Sequence, residues 1–293
     1  FDPVLNLYIL IVLHFECKMI RLDAVKYRET AMTIARPGLT GNGRIGDSAL
    51  ARRLGGALQG EVLFDRFSRG RYSTDASHYQ VEPLGIVVPK SADDVRCAMA
   101  IAKDENIPVL PRGGGTSQCG QTVGEALVVD TSKHMNGVLK FDEESCSAWV
   151  EPGIVLDQLN AYLKPHGLWF PVDVSTSSRA TIGGMTGNNS CGARSIVYGT
   201  MRDNVRAVDA ILIDGSEMIF GEVSDNAQLA SLSPQQSQLV SELLDLGRRE
   251  QAEVELRFPD LMRRVGGYNI DSLMPAGPTR GTWAESTMNQ PQD

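Results

Sequence analysis

Paired cysteines are missing from this sequence. The five that occur, at positions 17, 97, 119, 146 and 191, stand apart, with no two within four residues. That spacing excludes a CxxC metal or redox pair, and an odd count fits poorly with a secreted disulfide framework. Histidine is equally scarce: the four residues at 14, 78, 134 and 166 show no HxxxH or HxxE spacing. A protein-ligated metal is therefore not expected. A basic excess is lacking too. The 28 Lys and Arg against 36 Asp and Glu leave a net charge of −8, which argues against nucleic acid or an anionic membrane surface as partner. Hydrophobic residues at 42% and charged residues at 22% are ordinary globular proportions, and 293 residues suffice for one large domain or two modest ones.

Nor does an apolar run reach spanning length. "VLNLYILIVLHF" is about a dozen residues long, bounded by Asp2, His14 and Glu16, where a spanning helix needs about 20. It lacks the basic start and small-residue cleavage site of a signal peptide. The chain opens on Phe1, and Met19 precedes a soluble-looking amphipathic stretch. Residues 1–18 are thus read as upstream read-through or a disordered edge. No stable membrane span is expected. The expected location is the cytoplasm, with a peripheral association with the inner membrane as the alternative.

What the sequence does have is a regular alternation of short apolar runs and amphipathic stretches. "LGIVVP", "IPVLP", "ALVVD", "VLKFD" and "SAWVEP" read as strands. "SADDVRCAMAIAKDEN" reads as a helix opened by Ser91, with Val95, Ala98, Met99, Ile101 and Ala102 at helical spacing. "VLDQLNAYLKPHG" is a second helix, with Val155, Leu156, Leu159 and Leu163 on its apolar face and Gly167 at its end. "AVDAILIDGSEMIF" reads as a hairpin around Asp214-Gly215, and Gln235 to Glu255 as a polar helix with Leu239, Leu243, Leu244 and Leu246 inward. This order predicts an α+β fold in two lobes, with mixed sheets and flanking helices.

Glycine is concentrated in two blocks. In "PRGGGTSQCGQT", Pro111 to Thr122, three consecutive glycines follow a strand. Ordering them costs conformational entropy, commonly offset by letting peptide N–H groups close around an anion. The dinucleotide fingerprint GxGxxG fails here, because Gln118 stands at its third glycine. The GxxxxG spacing of a nucleoside-triphosphate loop runs from Gly115 to Gly120, but Gln121 stands where that loop needs Lys. Backbone donors and the hydroxyls of Thr116 and Ser117 remain, suited to a pyrophosphate; a plain surface turn is the alternative. The second block, "ATIGGMTGNNSCGARSIVYG", sets Asn188, Asn189 and Ser190 among Gly183, Gly184, Gly187 and Gly192. The blocks lie about 65 residues apart, each beside expected strands, and read as two walls of one large ligand site.

These segments, with "VEPGIVLDQLNAYLKPHGLWFPVD" and "YGTMRDNV", resemble the FAD-binding domain of the vanillyl-alcohol oxidase / p-cresol methylhydroxylase family. Within it they are most similar to the FAD-linked D-2-hydroxyacid dehydrogenases: D-lactate dehydrogenase, D-2-hydroxyglutarate dehydrogenase and the glycolate oxidase flavin subunit. "VLFDRFSRGRYSTDASHY" and "RRVGGYNIDSL" resemble large bacterial members that carry an iron–sulfur region. The resemblance spans roughly residues 62–275. It implies a PCMH-type two-lobed FAD-binding domain over 81–225, after an N-terminal helical and loop extension over 19–80. Residues 226–275 would be the helical start of a substrate domain that is otherwise missing, and 276–293 a frayed tail.

The resemblance also implies roles. Pro111, Arg112, Gly113, Gly114, Gly115, Thr116 and Ser117, with Gly120 and Gln121, would hold the FAD pyrophosphate through backbone amides. Ala180, Thr181, Gly183, Gly184, Asn188, Ser190, Gly192 and Ala193 would line the isoalloxazine and ribityl side. Asp173 and Ser175 would lie near it, and Tyr198 and Gly199 would close or brace that loop with Asp203. Members that attach FAD covalently often use a His in the glycine loop; Thr116 at the comparable place implies non-covalent FAD. In such a family the α-hydrogen of a 2-hydroxy acid passes as hydride to flavin N5 while a base takes the hydroxyl proton. Electrons would leave to a quinone, a cytochrome or the iron–sulfur region of a full-length protein. No catalytic base is assigned from the sequence. His78 and Tyr79 read as ordinary surface residues, Cys119 and Cys191 as small buried filler, and Arg202, Arg206 and the Arg pairs near 248 and 263 as solvated helix charge. The alternative to an oxidoreductase is a truncated FAD-binding fragment without catalysis of its own. A cell-wall precursor reductase on the same fold fits the second block less well.

Overall fold

The computed structural model describes residues 45–212, 214–221, 232–259, 261, 265 and 268–273. The 1–18 edge, the extension up to residue 44 and the 276–293 tail lie outside the described residues, as does part of "RRVGGYN".

The runs GIVV and LVVD are buried at every residue, as strands covered on both faces must be. They form β2 (Gly85–Val88) and β4 (Leu127–Asp130), the centre of a four-stranded sheet. Its order is β1-β2-β4-β3, with β1 (Glu61–Leu63) antiparallel at one edge and β3 (Val109–Arg112) parallel at the other. On one face lie α1 (Ser48–Ala57) and α3 (Ala92–Asp104), whose Leu50, Leu54, Ala98, Ile101 and Ala102 pack on Val87 and Leu127. The other face buries Ile86, Val88, Leu110 and Val128, with Tyr72 at the end of α2 (Arg66–Tyr72) against them. Helix α3 starts where Ser91 Oγ accepts the Asp94 N–H at 3.4 Å. The buried Asp94 carboxylate then accepts the backbone N–H groups of Gln59 and Lys90 at 2.8 and 2.9 Å, locking the helix start to the strand ends.

Strand β4 inserts between β2 and β3, so the long β3–β4 connection carries the first glycine block at the carboxyl end of the parallel strands. Ligand sites favour that edge of α/β sheets. A second core lies beyond the sheet. The hairpin β5 (Val138–Asp142) and β6 (Ser147–Val150) and helix α4 (Leu156–Leu163) gather Ile154, Leu156, Leu159, Leu163 and Val172. Ala180, Ile182, Met185 and Met201 complete that core, so the second glycine block is anchored by its own apolar residues. The block contains two short helices, α5 (Ile182–Gly187) and α6 (Ser195–Tyr198), and a third, α7 (Met201–Asn204), follows it directly.

The hairpin β7 (Ala207–Ile211) and β8 (Glu217–Gly221) turns at Gly215, with φ 88°, where Asp214 Oδ1 accepts the Ser216 N–H. Helix α8 (Pro234–Arg257) packs Leu239 on Leu212 and Met218. The α+β class and the two cores match the expectation. Among the described residues no helix is long and apolar enough to cross a membrane.

Two glycines of the first lobe should respond oppositely to alanine. At Gly55, inside α1, an added Cβ meets nothing within 4 Å, so Gly55→Ala is expected to stabilise the protein by about 0.5–1 kcal/mol. At Gly60 the same atom would lie 2.3 Å from the Val88 carbonyl oxygen, and Gly60→Ala should destabilise by about 1–3 kcal/mol. Urea unfolding of both variants checks the pair, and equal effects would contradict this packing.

Candidate cofactor site

The first glycine loop leaves β3 at Arg112, whose guanidinium lies against Gly115, where a Cβ would stand 2.7 Å from Nη2. Its Nη1 donates to the carbonyls of Tyr72 and Thr122 at 3.1 and 3.0 Å, and its Nη2 to the carbonyl of Thr74 at 2.7 Å. One guanidinium thus ties the far end of the loop to the segment after α2. Burial pushes the Arg112 guanidinium below its ordinary range, against the opposing effects of Asp130, Tyr72 and Asp75. The Tyr72 ring lies 5.2 Å from its Cζ, and the phenol donates to Asp130 Oδ2 at 2.6 Å. Burial first, then that hydrogen bond, raises Tyr72 above the usual phenol range. Asp75 completes the frame: its Oδ2 accepts from Thr122 Oγ1 at 3.0 Å, its Oδ1 from the Ser77 N–H at 2.8 Å. The Ala76 N–H donates to the Gly115 carbonyl at 3.1 Å.

The two glycine blocks meet. A Cβ at Gly113 would stand 2.1 Å from Thr181 Oγ1, and one at Gly114 would stand 2.2 Å from the Arg179 carbonyl oxygen. No real Cβ tolerates either distance, so this contact between loops requires glycine. Gly115 has φ 63°, the left-handed region that favours glycine. Among the described residues, the backbone N–H groups of residues 113–117 donate no hydrogen bond. They form a row of donors at the junction of the loops, as an anion requires. Thr116 and Ser117 are half-buried beside them, Pro111 is exposed, and Gly120, at φ 77°, lies under the Tyr79 ring.

The second block is folded tightly on itself. Ala180 and Thr181 are buried, and Thr181 Oγ1 accepts the Gly184 N–H at 3.3 Å. Gly183 packs where a Cβ would stand 2.7 Å from Pro152 Cβ, and Gly192 where it would meet Asp173 Oδ1 at 2.1 Å. Asp173 Oδ1 also accepts the Arg194 N–H at 3.0 Å. Asn188 closes α5, and the Ser190 carbonyl accepts the Met201 N–H at 3.1 Å. Gly199, at φ 80°, lies against Asp203, whose Oδ2 accepts the Thr200 N–H at 2.7 Å. Ser175, Ala193 and Tyr198 are exposed, and Tyr198 meets Trp169 edge-on at 5.3 Å.

One buried polar atom in each block has no partner: Gln121 Oε1 in the first and Asn189 Nδ2 in the second. An unpaired buried acceptor and an unpaired buried donor are costly alone. They fit a large ligand that offers both kinds of partner, as FAD does, and so do the free amides of residues 113–117. Two sequence expectations need correcting. Cys119 is exposed rather than buried filler. Arg202 is not solvated charge: its Nη1 donates to Asn269 Oδ1 and Ser272 Oγ, each at 3.0 Å. Tyr72, Asp75, Thr74 and Tyr79 were absent from the candidate set, and they act from 38 to 58 positions away. All four lie in "VLFDRFSRGRYSTDASHY", a segment marked by resemblance but not by any spacing that tied it to the glycine loop.

Residues 83–221 match the family described as FAD binding domain. The chain is 38% identical over 221 residues to a D-2-hydroxyglutarate dehydrogenase of Pseudomonas putida, covering 74% of this chain and 22% of that protein. It is 37% identical over 163 residues to the glycolate oxidase subunit GlcD of Bacillus subtilis, covering 54% of this chain and 34% of that one. Among solved structures, an alkyldihydroxyacetonephosphate synthase superposes with a TM-score of 0.54 at 21% identity, over 63% of this chain and 37% of that chain. That likeness concerns the fold.

The Arg112 clamp makes a direct prediction. Arg112→Lys keeps the charge but loses the planar fork that reaches three carbonyls. It is expected to destabilise the protein by about 1–3 kcal/mol and to speed proteolysis between residues 113 and 122. Unchanged urea midpoint and unchanged cleavage would show that the clamp does not hold the loop.

Proposed function

We propose, from the premise that residues 83–221 belong to the FAD binding domain family, that the chain is the flavin-holding part of an oxidoreductase acting on a D-2-hydroxy acid. The observation that carries the reading is the glycine-only junction of Gly113 with Thr181 and Gly114 with Arg179. It joins both loops around a row of undonated amides. The backbone of Gly113 to Ser117 would hold the pyrophosphate. Gln121 Oε1 and Asn189 Nδ2 would accept from and donate to the rest of the cofactor.

Bound there, FAD supplies two-electron oxidation of a C–H bond beside a hydroxyl. The chain's own contribution is positional: the Arg112 frame holds one loop rigid, the second core holds the other, and reaction geometry depends on that rigidity. Thr116, with no histidine in the loop, supports non-covalent attachment. The substrate class follows the relatives, with D-2-hydroxyglutarate, D-lactate and glycolate as candidates. The chain spans 22% of the length of the hydroxyglutarate dehydrogenase it matches. The substrate-carboxylate cations and the proton acceptor are therefore assigned to the remainder of a whole protein, beyond a boundary near residue 225. Residues 226–275 would begin that part, and a quinone, cytochrome or iron–sulfur region would take the electrons. A cytoplasmic location is part of the same reading.

The visible absorption spectrum of the purified chain, before and after acid precipitation, tests it. Flavin bands that move to the supernatant are expected, and Gly114→Val should lose them by forcing the loops apart. A chain that is colourless and takes up no added FAD would overturn the reading. If flavin is held, anaerobic D-2-hydroxy acids should leave the chain alone unbleached, because the groups that bind and deprotonate them are assigned to another part of a whole protein. Bleaching by any of the three acids would put those groups within this chain instead.

A further inference from the structure

Asn189 sits in the second glycine block with φ 45°, a left-handed conformation that a non-glycine residue adopts only when its surroundings hold it there. Its Oδ1 accepts two hydrogen bonds, from Thr200 Oγ1 at 2.9 Å and from the Arg202 N–H at 3.0 Å. Its Nδ2 is buried without a partner. The residue that grips Asn189 through its backbone reaches in the opposite direction through its side chain. Arg202 Nη1 donates to Asn269 Oδ1 and Ser272 Oγ, both at 3.0 Å, and lies 3.9 Å from Asp271 Oδ2. Arg202 Nε lies 3.5 Å from Asp203 Oδ1, and Asp203 Oδ2 lies 3.1 Å from Thr200 Oγ1, whose one proton it shares with Asn189 Oδ1.

The acceptor at 272 belongs to a short 3₁₀ turn, Ile270–Leu273, seated on helix α8, and the acceptor at 269 immediately precedes it. Gly247 of α8 is buried beneath it, and a Cβ there would stand 2.8 Å from both the Leu273 Cβ and its carbonyl oxygen. The turn is therefore docked on α8 through a glycine that admits close approach, and the Arg202 guanidinium also holds it. That guanidinium is the side chain of the residue whose amide fixes Asn189.

We propose that Arg202 is a positioning residue that links flavin occupancy at Asn189 to the seating of the 268–273 turn; the proposal rests on the FAD reading above. The physical basis is reciprocity. If the seated turn holds Arg202 and thereby holds the Asn189 amide ready to donate to the cofactor, then bound cofactor must favour the seated turn by the same factor. The part of the chain leading onward from the flavin domain thus senses whether the flavin is in place.

The test uses the full chain, stripped of flavin and titrated with FAD by fluorescence quenching, with hydrogen exchange read for the amides of 268–273. In the parent protein FAD should slow exchange in that turn about fivefold or more. Arg202→Ala should weaken FAD about tenfold and abolish the protection. Arg202→Lys, which keeps the charge but loses the Nε that faces Asp203 Oδ1, should recover only part of each effect. The double variant Asn269→Ala/Ser272→Ala leaves Arg202 and its amide in place. It should reproduce the loss even if Arg202→Ala fails to fold. A parent protein that binds FAD without changing exchange at 268–273, or a double variant with parental FAD affinity, would overturn the linkage while leaving the FAD reading intact. A parent protein that takes up no FAD would overturn that reading itself.

Discussion

Two hydrogen atoms, in the place of two side chains, hold this structure's site together. Gly113 and Gly114 meet Thr181 and Arg179 at distances where any Cβ would overlap an oxygen atom. The contact joins loops that belong to different hydrophobic cores, one built on the parallel sheet and one on the β5–β6 hairpin and α4. Each core positions its own loop, but only the absence of side chains lets the loops close on each other. Interiors pack too densely to absorb even a methyl group at such a point.

Around that junction the structure is stiff for a second reason. The loop has few side chains to pack, so its conformation is set by hydrogen bonds to its carbonyls and amides. Arg112, Asp75 and Tyr72 form that frame, and the guanidinium sits partly buried among carbonyl oxygens rather than opposite a single carboxylate. Three carbonyls at fixed angles match a planar fork better than a point charge would. The loop amides are left without acceptors in a loop whose backbone is already held, which lowers the ordering cost of binding.

The match of residues 83–221 to the FAD binding domain family and the build of the two glycine blocks point the same way. Flavin holding needs backbone donors and tight turns, which this chain concentrates in two places. Substrate recognition needs convergent charged side chains, and several arginines of the described residues are engaged in pairs elsewhere. Arg248 pairs with Asp245, Arg96 with Asp93 and Glu217, and Arg53 with Asp104 and Glu105. Exposed pairs of this kind contribute little to stability and serve mainly as a solvated surface.

The strands were legible in the sequence because GIVV and LVVD are uninterrupted apolar runs, and buried parallel strands need nothing else. The helix after Ser91 was legible because a cap and a 3.6-residue period are local signals. Both glycine blocks were legible for the same reason, since a cluster of glycines and short polar residues has few structural uses. The sequence by itself therefore determined the class, the central strands, the long helices and the positions of the two loops, but not β1, α2 or the short helices α5 to α7. It could not show that Arg112 reaches three carbonyls, that Tyr79 covers Gly120, or that Arg202 bridges Asn189 to Ser272. Each depends on which atoms lie within about 3 Å after residues tens of positions apart are packed together. Those distances exist only in the folded chain, and there the tertiary structure decided which charged and polar side chains frame the site and which face water.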